Sequence, residues 1–178
     1  MPGLDLERPF IPVGVVVLTI SDSRTAETDT SGDTLAERVG ELGHPLIGRE
    51  IVTDDLSEIQ RVLLRWCSDA RVNVIITTGG TGVTGRDVTP EAVEAISDKR
   101  IPGFGELFRQ LSYRSVGTST VQSRACAGVR GDTYVFALPG STGACRDAWD
   151  GILKTQLDSR FRPCNFIELI PRLGANDN

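Results

Sequence analysis

The sequence predicts an α/β fold of three layers, an α/β/α sandwich with a mostly parallel sheet that also carries an antiparallel hairpin. Short β-branched apolar runs alternate with stretches of helical periodicity, and three of those runs end in loops rich in Gly, Ser, Thr and Asp. The first of these runs, residues 13–20, is continuously apolar, the pattern of a strand whose two faces are both covered. Alternation of strands with helices is the pattern of parallel sheets.

Residues 13–20 (VGVVVLTI) form the first such run. Asp29, Ser31 and Asp33 are N-cap candidates for the helix that follows, where Leu35, Val39 and Leu42 recur at helical spacing until Gly43 ends it. Residues 46–53 (LIGREIVT) predict the second strand. Leu56, Ile59, Leu63, Trp66, Cys67 and Ala70 mark one face of the next helix, opened by Asp55 and Glu58 at capping-box spacing. Residues 72–78 (VNVIITT) run as a third strand into a glycine-rich loop. Thr89-Pro90-Glu91 then opens a helix, with Thr89 as cap, Pro90 in the first turn and Glu91 complementing the helix dipole. After Pro102, the spacing of Phe104, Leu107, Phe108 and Leu111 predicts a further helix. Residues 125–130 and 133–138 flank Gly131-Asp132, which suits a type II′ hairpin turn. A last helix is expected over about 143–158, and the segment FRPCNFIELIPR could add a strand.

At 178 residues the chain fits a single domain, residues 1–178. A fold of this length buries about 70% of its unfolded surface, so its core needs neither a disulfide framework nor a structural metal. The longest apolar stretch, Ile11 to Ile20, has ten residues. A membrane helix needs about 20. The N-terminus MPGLDLERPF also lacks the basic region and apolar run of a signal peptide, so a cytoplasmic protein without membrane contact is expected. Cys67, Cys126, Cys145 and Cys164 are widely separated, and the only histidine, His44, sits in a Gly43-His44-Pro45 turn. Those spacings argue against a zinc site and a histidine-based triad. The net charge of -5 argues against nucleic acid as a partner. Only Lys99 and Lys154 are lysines, so almost every cation is an arginine suited to bidentate phosphate binding.

The chemistry is expected in the loops Ser21-Asp22-Ser23, Thr77 to Asp87 and Pro139 to Gly143. Glycines in TTGGTGVTGRD let backbone approach a ligand closely and offer amide groups to an anion. Gly80-Thr81-Gly82-Val83-Thr84-Gly85 matches G-x-G-x-x-G, but SDKRIPGFG stands where a dinucleotide-binding unit needs its next buried strand. A Walker loop fails too, because Gly85-Arg86-Asp87 replaces Gly-Lys-Ser/Thr. Among the carboxylates, Asp55 has a capping task, whereas Asp54 has none and Asp87 lies just ahead of a helix start. Asp54 and Asp87, from neighbouring strand-end loops, could together hold Mg²⁺, which takes one or two carboxylates plus substrate phosphates.

TTGGTGVTGRDVTPEAV, with SDS after the first strand, DTSG before the first helix, PGFGELFRQLS and LPGSTGA, closely resembles the molybdopterin-binding MoaB/Mog family over about residues 12–158, leaving 159–178 as a C-terminal extension. The resemblance implies cytosolic molybdenum cofactor biosynthesis. Active members of the family adenylylate molybdopterin with MgATP, and the molybdopterin-AMP later accepts molybdate. By motif, Asp54 and Asp87 match the family's catalytic, metal-binding aspartates, and Thr78, Gly79, Gly80, Thr81 and Gly82 match its ligand loop. Ser21, Asp22, Ser23, Ser31, Gly32, Pro139, Gly140 and Ser141 match flanking loops, with Arg86 placed to offset negative charge. Gly85 departs from the pattern, since many members have proline or a bulkier residue there. The resemblance also implies other proteins of the pathway as partners and a trimer, paired into a hexamer in MoaB-type members. Helix 103–114 is the candidate interface. Two alternatives stand beside the transferase: a non-catalytic protein that holds molybdopterin or a pathway partner, and a competence/damage-inducible type of domain.

Overall fold

A computed structural model describes residues 1–174. In chain order the elements are β1 (Gly3–Leu4), β2 (Val15–Ile20), α1 (Thr30–Leu42), β3 (Leu46–Val52), α2 (Leu56–Cys67), β4 (Val74–Thr78), α3 (Thr89–Ile96), β5 (Lys99–Arg100) and α4 (Pro102–Val116). A 3₁₀ stretch, Gly117–Gln122, leads to β6 (Cys126–Arg130) and β7 (Thr133–Leu138). The helical run α5 (Thr142–Ala148), a π turn at Trp149–Leu153 and α6 (Lys154–Gln156) follows, then β8 (Phe161–Arg162) and, after a short 3₁₀ turn, α7 (Ile170–Leu173).

The main sheet has six strands in the order β3-β2-β4-β7-β6-β5. The first four lie parallel, while β6 runs antiparallel to β7 and β5 antiparallel to β6. Between β6 and β7, Gly131 takes φ 55°, and among the described residues no non-glycine residue has positive φ, as the expected hairpin turn requires. Alternate residues of each apolar strand face opposite layers. Val15, Val17, Val74, Ile76, Tyr134 and Phe136 join Leu35, Phe108 and Trp149 in one core. Val16, Leu18, Ile75, Val135 and Ala137 join Ile59, Leu63 and Val93 in the other. Burying each of these larger apolar side chains contributes about 1.5–3 kcal/mol, which is why the strands carry no polar alternation.

Asp29 proves to be the cap of α1, accepting from the Gly32 amide, so Ser31 and Asp33 fall inside the helix. Asp55 caps α2 as expected, but the box is half formed, since Glu58 forks onto Arg61 instead of reaching back. Thr89 is not a cap. Val88 holds that position, and Thr89 is the first helical residue with its hydroxyl turned to the Gly79 carbonyl. The C-terminal segment adds only Phe161–Arg162 as a strand, and it pairs with Gly3–Leu4 outside the main sheet. Pro163, which has no N–H to donate, follows directly and ends that ladder. Residues 175–178 of the C-terminal extension lie outside the described residues. On α4, Phe104 and Phe108 belong to the core, so of the candidate interface stripe only Leu107 is well exposed. No described helix is long and apolar enough to cross a membrane.

Candidate active site

Chain order places β3 on one side of β2 and β4 on the other, which makes the β2/β4 boundary a topological switch point. Ligands bind open α/β sheets outside the carboxyl ends of the strands at such a point. The pairs Ile20 with Val52, Thr19 with Thr78, and Thr78 with Leu138 show that β2, β3, β4 and β7 end almost level. Their four following loops therefore converge on one cleft of about 670 Å³. That volume lies within the range of small-molecule sites, about 300–1,000 Å³.

Ser21, Asp54, Thr78, Gly79, Gly80, Thr81, Gly82, Arg86, Asp87, Pro139, Gly140 and Ser141 all line the cleft, as does Ser31 from the start of α1. Asp22, Ser23 and Gly32 do not line it, and instead contact residues that do or that support its walls. The Asp22 amide donates to Asp54 Oδ2 at 3.0 Å and the Asp54 amide donates to Asp22 Oδ1 at 3.0 Å, locking the two loops together. Ser23 donates through its amide to Ser21 Oγ, stabilising the turn. Gly32 packs so tightly that a Cβ would stand 2.1 Å from Asp29 Oδ2.

Loop contacts hold the remaining walls. Ser31 Oγ donates to the Gly140 carbonyl at 2.8 Å, and Thr78 Oγ1 donates to the Pro139 carbonyl at 2.9 Å. Gly79 and Gly80 have φ of 109° and 65°, a backbone region that side chains disfavour. Behind them, Thr89 Oγ1 donates to the Gly79 carbonyl and the Thr89 amide to the Gly80 carbonyl. Among the described residues, the Gly80 and Thr81 amides have no protein acceptor, which leaves them free for an anionic ligand.

The two aspartates differ electrostatically. Burial and the nearby charges of Asp22 and Asp87 push the Asp54 carboxyl above its ordinary range, against an opposing Asp22 amide bond and Arg86. Burial also acts on Asp87, but bonds from the Thr84 hydroxyl and amide outweigh it and hold that carboxyl low. Arg86 forms an ion pair with Asp22, and this bond lowers the Asp22 carboxyl. No described cluster of three or more His, Cys, Asp or Glu residues could enclose a metal. The donor set still fits Mg²⁺: hard carboxylate oxygens whose mutual repulsion a cation relieves, with phosphate and water oxygens completing the shell.

The family described as "Probable molybdopterin binding domain" matches residues 16–159. The chain belongs to this family. Molybdenum cofactor biosynthesis protein B of Escherichia coli (strain K12) is 47% identical over 157 residues, covering 88% of this chain and 92% of that one. Its counterpart in Bacillus cereus is 49% identical over 142 residues, 79% of this chain and 84% of its own. A crystal structure of molybdenum cofactor biosynthesis protein B matches with a TM-score of 0.82 at 46% identity, over 84% of this chain and 94% of that chain. Every residue lining the cleft lies inside the span matched to the molybdopterin-binding family.

Within this family member, the sequence reading missed one wall. Phe108, Ser112, Ser115 and Val116 of α4, with Ser119, Thr120, Gln122 and Ser123 after it, also line the cleft. The signal was present in the hydroxyl-rich run SVGTSTVQS, which follows an apolar helix face. Asp29, assigned only as a cap, also reaches the cleft; it is buried and bonded to Thr19, Gly32 and Arg49. Burial raises its carboxyl, but these bonds win and hold it below the ordinary range. Arg24 lines the mouth, its Nη1 donating to the Thr28 carbonyl.

Proposed function

We propose that the chain binds molybdopterin in this cleft and transfers AMP to it from ATP, as a cytosolic step of molybdenum cofactor biosynthesis. The observation that carries this reading is the convergence of Asp54, Asp87 and unpartnered glycine-loop amides on one cleft. A binding loop alone would need no pair of carboxylates. In the transfer, an oxygen of the molybdopterin terminal phosphate attacks the α-phosphorus of ATP. A P–O bond forms, the bond between the α-phosphorus and the bridging oxygen breaks, and pyrophosphate leaves with that electron pair.

Such a reaction gains most from positioning and from stabilisation of developing charge. The Gly80 and Thr81 amides hold the molybdopterin phosphate, and the hydroxyl-rich wall from Ser112 to Ser123 offers the ligand hydrogen-bond partners. Asp54 and Asp87 would hold Mg²⁺, which when bound supplies electrostatic stabilisation of the phosphate oxygens. Arg86, kept in place by Asp22, offsets negative charge at the cleft edge. The test is incubation of the purified chain with ATP, Mg²⁺ and molybdopterin. Molybdopterin-AMP and pyrophosphate should form, EDTA should stop their formation, and added Mg²⁺ should restore it. Turnover unchanged in chelator would end the metal assignment, and binding without AMP transfer would leave a non-catalytic molybdopterin carrier.

A further inference from the structure

The segment 82–87 carries Arg86 and Asp87 into the cleft, yet little packing fixes it. Val83, Thr84, Gly85 and Arg86 are exposed, and a Cβ on Gly85 would meet nothing within 4 Å. Both ends of this segment are instead gripped by one side chain from beyond the α4 wall. Arg124 Nε donates to the Gly82 carbonyl at 2.6 Å, and Arg124 Nη2 donates to the Asp87 carbonyl at 2.6 Å. The backbone amide of the same residue donates to the Thr81 carbonyl at 2.9 Å. Together with Thr89, Arg124 thus occupies the carbonyls of Gly79, Gly80, Thr81, Gly82 and Asp87.

We propose that Arg124 is the positioning residue for the glycine loop, bracing residues 81–87 so that the loop amides and Asp87 meet the phosphate ligand together. The inference rests on the molybdopterin reading of the cleft. A guanidinium offers donors at fixed spacing in one plane, and hydrogen bonds from a charged donor are stronger than neutral ones. One planar group can therefore set the distance between two carbonyls, which a flexible point charge cannot do. The competing reading makes Arg124 a surface charge paired with Glu91 through Nη1. An exposed ion pair of that kind contributes little to stability. Burial raises the Asp87 carboxyl, the bonds from Thr84 and Gly82 outweigh it, and the Arg124 charge lowers it further.

The test compares Arg124→Lys, Arg124→Met and Glu91→Gln in the full chain. The first readout is residue-resolved hydrogen exchange, without ligand, at the Thr84 and Asp87 amides, which donate to Asp87 Oδ2 and the Thr84 carbonyl. Both Arg124 variants should exchange there about tenfold faster or more, the scale of a lost charge-assisted bond, with β4 and β7 amides unchanged. Molybdopterin should bind about tenfold more weakly to both, while Glu91→Gln matches the parent in both readouts. Parental exchange and affinity in Arg124→Lys would show that charge alone matters and overturn the proposal, as would parental exchange in Arg124→Met. If Arg124→Met does not fold, Arg124→Lys supplies the same two readouts. Failure of the parent chain to transfer AMP would defeat the transferase reading alone, because exchange and affinity still decide the role of Arg124.

Discussion

Asp54 and Asp87 border the same cleft but are tuned in opposite directions, Asp54 upward by burial and by Asp22 and Asp87, Asp87 downward by its bonds from Thr84. An unfolded aspartate titrates near pH 4. With its folded value raised, Asp54 favours the native state below that point and loses that contribution as pH rises through the folded value. Asp54→Asn should therefore raise the urea midpoint at neutral pH, with the gain closing as pH falls toward about 4. Asp87 has the reverse sign: its stabilisation is present at neutral pH and lost as pH falls through its lowered value. Asp87→Asn should lower the midpoint at neutral pH. Each amide should cost about 10²-fold or more in AMP transfer, the scale of one lost electrostatic stabiliser. Asp55→Asn should retain activity and lose at most about 1 kcal/mol, since Asn caps a helix nearly as well as Asp. Parental rates in the Asp54 and Asp87 variants, or inactivation by the Asp55 change alone, would overturn these assignments. The separation of Asp54 from Asp55 was legible in the sequence because capping has a fixed spacing to Glu58. The opposite tuning was not, because Asp22 reaches Asp54 from another loop 32 residues away, and the local turn that brings Thr84 onto Asp87 takes shape only in the folded loop.

The central strands and the loops that end them were legible for a physical reason: a doubly covered strand such as β2 is apolar along its length, and a loop approaching a ligand needs small residues. The wall formed by α4 was not, since Ser112 and Ser115 read as ordinary polar positions until the fold turns them toward the cleft. Thr89 was misread for a similar reason. Its position beside Pro90 suits a cap, but its hydroxyl is taken by Gly79 from the neighbouring loop. Not every glycine in that loop has the same task. At Gly79, φ is 109° and a Cβ would stand 2.2 Å from the Ile20 carbonyl oxygen. Gly79→Ala should cost about 1–3 kcal/mol from backbone strain alone, with the clash adding to it. Gly85 has no such φ and no neighbour to strike. Gly85→Ala should instead stabilise by about 0.4–1 kcal/mol through the unfolded state, and should keep activity. Urea denaturation of both variants checks the pair; equal effects would show that the loop's glycines are interchangeable.

Across the whole molecule, the cleft lies at the carboxyl ends of the strands, while the chain's two end segments close on the opposite side, beside Val13 just ahead of β2. Ser159 Oγ accepts from the Ile11 amide and donates to the Pro9 carbonyl, and Phe10 packs on the His44 ring at 5.1 Å between centroids. Arg160 lies over the other ring of that pair, Phe10, at 5.2 Å. His44 is the buried hub of this closure. Its Nδ1 accepts from the Val13 amide at 3.1 Å, so the proton sits on Nε2 and is donated to the Leu157 carbonyl at 2.9 Å. A second proton would set Nδ1–H against the Val13 N–H. Burial lowers the His44 value, although the Leu157 carbonyl and Asp158 pull the other way. Because the folded value is the lower one, this ring's stabilisation is present above the unfolded value of about 6.5 and lost as pH falls through the folded value. The chain has no other histidine, and Asp54 acts with the opposite sign on acidification. The urea midpoint of the parent chain should therefore fall from neutral pH to mildly acidic pH, whereas His44→Gln should be less stable at neutral pH and flatter across that window. An equal slope in the variant would place the pH dependence elsewhere and remove His44 as the hub of the closure.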